Sequence, residues 1–129
     1  MKRTGAALAV MLAMAGAADA AEPVGFARDI VPILKKKCVM CHLTGQEPGN
    51  MKLPPRTAYA SLVGMKSLET PLNRVEPGRP DSSYLVRKLE GTHGEVGGSG
   101  ERMPMSGDPL PPAELAKIRR WIEQGAPDN

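Results

Sequence analysis

The 129-residue chain carries 17 Lys and Arg against 14 Asp and Glu, a net charge of +3, with only four aromatic side chains, Phe26, Tyr59, Tyr84 and Trp121. So mild a positive balance and so few rings exclude a stacking platform for nucleic acid bases. Fourteen glycines and thirteen prolines require much turn and loop, and the length fits one domain.

Lys2 and Arg3 lead into an apolar run from Ala6 to Ala18, followed by Ala18-Asp19-Ala20, a small-x-small cleavage signal. This predicts a secretory signal peptide over residues 1–20 and a mature domain over residues 21–129. The apolar run is shorter than the ~20 residues a membrane span needs, so a soluble periplasmic or otherwise exported protein with no span after cleavage is expected. Without Lys2, Arg3 and Asp19 the balance is 15 basic to 13 acidic side chains.

In "FARDIVPILKKKC" Phe26, Ile30, Ile33 and Leu34 recur at helical spacing, and Lys35, Lys36 and Lys37 gather where a helix dipole favours cations. Pro32 is tolerated only in a first turn, which predicts a helix starting near Asp29 and delivering Cys38 to its end. Residues 43–56, with Gly45, Pro48, Gly49, Pro54 and Pro55, read as an extended loop. A short helix is expected in "TAYASLVGM", with Thr57 as cap and Gly64 as stop. Pro80, Asp81 and Ser82 offer start signals for a further helix that buries Tyr84, Leu85 and Leu89 and ends at Gly91.

From Gly91 to Pro109 six glycines and two prolines fall within nineteen residues, a structureless length that in a compact domain has a functional reason. His93 there reads as a solvent-exposed loop residue. The last helix runs through "LPPAELAKIRRWIEQGAP", with Leu115, Ile118 and Ile122 on one face, Trp121 beside them and Gly125 as stop. No strand alternation, internal repeat or second-domain boundary is visible, and the expected fold class is a small all-α domain.

The chain's only cysteines stand in "KKKCVMCHLTG", residues 35–45. A disulfide between Cys38 and Cys41 would close a very small loop and constrain the unfolded chain little. A thioredoxin-like pair belongs at a strand-to-helix junction in a βαβ pattern, which is missing here. Zinc needs two more ligands, for which only His93 and carboxylates remain. C-x-x-C-H is the attachment signature of c-type haem: two intervening residues let Cys38 and Cys41 form thioethers to the two vinyl groups of one porphyrin, and His42 becomes the proximal iron ligand, its other ring nitrogen held by a carbonyl or water.

Methionine is the usual sixth ligand in cytochromes c. Met1, Met11 and Met14 leave with the signal and Met40 lies inside the motif. Met103 is preferred for its place far downstream and for Pro104, which stiffens the backbone behind it. Met105 is the alternative, ahead of Met51, Met65 and His93.

On these residues the chain resembles a class I c-type cytochrome, and in particular is similar to the short monohaem planctomycete-type cytochrome c domain. The likeness spans roughly residues 26–126: Asp29, Ile30, Pro32, Ile33 and Leu34 before Cys38, Cys41 and His42; Pro77, Gly78, Pro80, Ser83 and Leu85; Met103-Pro104 with Gly107; and Leu110, Glu114, Ile118, Trp121, Ile122, Gly125 and Ala126. The resemblance implies a cytochrome c-like helical domain wrapped around one covalently bound haem c, His42 and Met103 as axial ligands, and an initial helix packed across the terminal one. "GTHGEVGGSGER" and the second sulfur of "MPM" depart from the family pattern.

The function expected is that of a monomeric one-electron carrier between redox partner proteins that performs no bond chemistry of its own. A haem-based peroxidase or gas-binding sensor with a displaceable sixth ligand is the alternative, and a haem-free thiol-disulfide exchange protein the third reading. Lys35, Lys36 and Lys37 either steer an acidic partner or form a solvated helix end.

Overall fold

Pro32 sets the form of the first helix. Its ring has no N–H and would crowd the Arg28 carbonyl in a regular helix, and the chain answers with a π-helical turn at Phe26–Ile30, closed by the Val31 N–H on the Phe26 carbonyl, before α1 (Val31–Lys37) begins. The computed structural model describes residues 22–129; the signal peptide expected over residues 1–20 lies outside them. The helix thus starts earlier than Asp29 as a wide turn, and its α-helical part starts later. Asp29 reaches back to the Gly25 N–H at 2.8 Å, and Phe26, Ile30, Ile33 and Leu34 are buried along the expected face.

Helix α2 (Pro55–Leu62) begins two residues before the expected cap, with Pro54 in the capping position. Pro55 suits a first turn because its missing N–H would have had no helical partner. Thr57 is no cap: its Oγ1 donates to the Pro54 carbonyl at 3.1 Å. A 3-10 turn at Pro80–Ser82 leads into α3 (Tyr84–Glu90), which Gly91 stops in the left-handed region at φ 79°, as expected. The helix buries Tyr84 and Leu89 as expected, but Val86 is fully buried and Leu85 only half-buried. Helix α4 (Pro112–Glu123) buries Ile118, Trp121 and Ile122, with Leu115 packed at the margin.

Three of the four aromatic side chains meet at the junction of these elements. Phe26 lies 5.2 Å from both the Tyr59 and the Trp121 ring centroids, joining the π turn, α2 and α4. Their polar atoms are satisfied by backbone near the carboxyl end, Tyr59 Oη donating to Ala126 O at 2.8 Å and Trp121 Nε1 to Pro127 O at 3.0 Å. The same end ties the start of the domain: Val24 N–H donates to Gln124 at 2.9 Å, and Phe26 N–H to Asn129 Oδ1 at 2.9 Å.

Among the described residues β pairing is confined to isolated bridges of Val63 with Val75, Lys66 with Asn73, and Asn73 with Ser83, so the regular structure is all helical. No helix among these residues is long and apolar enough to cross a membrane.

Candidate functional site

Where α1 ends, the Leu34 carbonyl accepts from both Cys38 N–H at 2.9 Å and Val39 N–H at 3.0 Å. The chain then folds into a second turn in which the Cys38 carbonyl accepts from Cys41 and His42, both at 3.1 Å. The returning loop takes hold of His42 from the other side, Leu53 N–H donating to the His42 carbonyl at 3.0 Å. Just beyond, the Glu47 carboxylate accepts from Thr44 N–H at 3.0 Å and Gly45 N–H at 2.9 Å, which fixes the exit of the motif.

Cys38, Cys41 and His42 line one cavity of about 300 Å³ whose wall is mainly apolar. Met51 and Leu53 come from the following loop, Leu85 and Leu89 from α3, and Met103, Pro104 and Met105 from the segment before α4. The half-buried Leu85 is therefore accounted for: it packs against the core and also lines this space.

Both thiols are free, Cys38 half-buried and Cys41 exposed. Burial, with Cys41 and Glu114 nearby, pushes the Cys38 thiol up to about 11, against the pull of Lys37. A thiol held protonated at neutral pH is ill suited to disulfide exchange, where the thiolate attacks. His42 is buried, and that burial lowers its imidazole pKa, with Glu47 opposing and Arg74 and Lys88 assisting. The ring is thereby kept neutral, the form that binds metal. Of the carbonyl or water expected to hold its second nitrogen, no carbonyl is in place: among the described residues Nδ1 is buried without a hydrogen-bond partner from the protein.

The stretch from Gly91 to Pro109, expected to be structureless, is fastened to α3. A helix leaves its last carbonyls without helical partners, and here the loop supplies them: Thr92 N–H donates to Arg87 O at 2.9 Å, Met103 N–H to Lys88 O at 3.0 Å, and Arg102 Nε to Leu89 O at 2.9 Å. Met103 is half-buried against the core, whereas Met105 on the same cavity is 65% exposed. Met51 packs against the core within the cavity wall; Met65 is exposed and lies away from it.

His93 corrects the sequence expectation. It is buried, not solvent-exposed, because a 3-10 turn at His93–Val96 and the left-handed Gly97 curl the chain over its ring. Its Nε2 bonds the Gly100 carbonyl at 2.9 Å, and it takes no part in the cavity wall. Nearby, Tyr84 Oη donates to Glu69, which also accepts from Ser99 Oγ at 3.2 Å and so links the loop to residues 66–72. Burial, with this carboxylate beside it, pushes the Tyr84 phenol well above its ordinary range.

Arg74 is the residue of this site that sequence reasoning missed. It lies in "NRVEPG", of which only Pro77 and Gly78 are singled out in the sequence, yet it is buried in the cavity wall. Among the described residues no group of three or more His, Cys, Asp and Glu side chains converges as a zinc site would require. No protein-family model, curated protein or solved structure matches the chain.

Proposed function

We propose that the chain is an exported, single-haem c-type cytochrome of the class I kind, similar to the planctomycete-type domain, which carries one electron at a time between partner proteins. The observation that supports this reading is one apolar cavity that gathers Cys38, Cys41 and His42 from a single turn with Met103 from a segment far down the chain. The donor set fits the group: two thiols three residues apart for thioethers, a neutral imidazole and a half-buried thioether for iron, and an apolar wall for the macrocycle.

When bound, haem supplies a one-electron iron couple, and the protein supplies position and surroundings. The Cys38 carbonyl fixes the turn that spaces the thiols and the imidazole. His42 is clamped by backbone hydrogen bonds on both sides, and Met103 hangs from the end of α3. Leu53, Leu85 and Leu89 keep water from the cavity wall, which raises the cost of extra positive charge there. His42 and Met103, whose main chain is fixed by these hydrogen bonds, would hold the iron, and a bound haem would then supply its one-electron couple with little rearrangement of the protein.

The test is the pyridine haemochrome spectrum and intact mass of protein produced with a c-type maturation system. One haem bound covalently through Cys38 and Cys41 is expected; a bare polypeptide overturns the proposal. In the loaded protein a far-red sulfur-to-iron band in the oxidised form is expected, and prompt carbon monoxide binding by the reduced form would replace the carrier with the ligand-binding alternative.

A further inference from the structure

The glycine-rich stretch after α3 hangs from that helix at two places, by the Thr92 N–H on Arg87 at one end and by Arg102 and Met103 on Leu89 and Lys88 at the other. Between them residues 93–101 form a strap with four glycines, of which Gly97 and Gly100 stand in the left-handed region at φ 84° and 74°. This strap is the stretch that departs from the family pattern. Its Ser99, Gly100 and Glu101 line the cavity, and so do Ser67, Leu68 and Glu69 of the segment that precedes Arg74.

One carboxylate joins the two. Glu69 accepts from Ser99 Oγ at 3.2 Å and from Tyr84 Oη, and among the described residues every hydrogen bond from residues 66–72 to the strap or to α3 runs through it. Tyr84 is 7% exposed, so its hydroxyl depends on this acceptor. A buried O–H that loses its partner has already given up its hydration, which holds the pair together. The Tyr84 bond, with Lys88 and Ser99 assisting, keeps the Glu69 carboxyl below its ordinary value and therefore ionised at neutral pH. Hydrogen bonds to an ionised acceptor are the stronger ones. Lys88 Nζ also donates to the Ser99 carbonyl at 2.8 Å, but that bond ties the strap to α3 and does not reach residues 66–72.

We infer that residues 93–101 are a lid on this cavity and that Glu69 is its latch, which excludes small exogenous ligands from the space lined by His42 and Met103. This rests on the haem reading above and deepens it, because a carrier and a ligand-binding centre then differ in this chain by whether the latch is closed. Tyr84, Glu69 and Ser99 are positioning residues and not ligands.

The experiment measures hydrogen exchange by peptide mass spectrometry, together with carbon monoxide binding to the reduced, haem-loaded protein. Wild type, Glu69→Ala, Glu69→Gln, Tyr84→Phe and Glu101→Gln are compared. In Glu69→Ala, peptides over residues 93–101 exchange about tenfold faster and carbon monoxide binds about tenfold faster, while exchange in α1 and α4 is unchanged. Tyr84→Phe moves both readouts the same way, and combining it with Glu69→Ala adds little to either single change, as one shared interaction requires. Glu69→Gln keeps a carbonyl oxygen for Tyr84 and recovers most of the wild-type behaviour. Glu101→Gln removes a charge from the same wall outside the latch and leaves both readouts unchanged.

Unchanged strap exchange in Glu69→Ala overturns the inference. So does exchange that quickens equally in every helix, the mark of a merely structural residue, or a faster strap with unaltered carbon monoxide binding. If Glu69→Ala does not accumulate folded, Ser99→Ala, which removes one of the two bonds at an exposed position, decides by the same measurements. A folded chain without covalent haem overturns the function reading alone, since strap exchange requires no haem and still decides the latch.

Discussion

The backbone N–H of Met103 donates to the Lys88 carbonyl at 3.0 Å, so this sulfur owes its place to a helix end rather than to the glycine-rich loop leading up to it. Met105, two residues on, has no such tie and is 65% exposed. If the proposed haem is bound, Met103→Ala is expected to abolish the far-red sulfur-to-iron band and open the reduced iron to carbon monoxide, and Met105→Ala to leave both properties unchanged. Absorption spectra of the two variants check this, and the reverse pattern would move the ligand to Met105.

Gly98 lies against the Tyr84 side chain of α3. A Cβ added there would overlap Tyr84 Oη and lie 2.9 Å from the His93 carbonyl oxygen. Gly98→Ala must push the loop off the Tyr84–Glu69 pair and is expected to cost about 1–3 kcal/mol, the usual range for overpacking. Urea denaturation measures it, and Gly94→Ala, where an added Cβ meets nothing within 4 Å, is the control.

Hydrogen bonds hold the Glu47 carboxyl down to about 2 from its ordinary 4.5, the Thr44 N–H contributing most. A folded pKa below the unfolded value adds stability that is complete above about pH 4.5 and is lost as pH falls through about 2. Glu47→Gln is therefore less stable than wild type at pH 7, and the gap closes as the pH is lowered toward 2. Chemical denaturation of both proteins at several pH values checks the sign.

Trp121 is fully buried and stacks near Phe26. Its replacement by Ala removes the ring that joins the π turn, α2 and α4, at an expected cost of about 3–5 kcal/mol. A variant whose unfolding midpoint matches wild type would show that this junction is dispensable.

The features legible in the sequence are those carried by contiguous residues. C-x-x-C-H is read directly because its chemistry depends on adjacent side chains, and Gly91 because a left-handed helix stop is a local demand. Leu85 is expected in the core from helical spacing alone, and its half-buried place between core and cavity wall has no mark in the local sequence. Thr57 carries the composition of a cap, but a proline at the first helical position set the start instead. Arg74 and His93 were out of reach for a different reason: each is buried by carbonyls from elsewhere in the fold, Ser61 and Gly49 for one and Gly100 for the other.

The bond from Phe26 N–H to Asn129 spans 103 positions along the chain, and that from Val24 N–H to Gln124 spans 100. A polypeptide made from its amino end cannot form either until Gln124 and Asn129 have emerged. The turn that carries the thiols at 38 and 41 is thus made well before the bonds that tie the two ends of the described domain together.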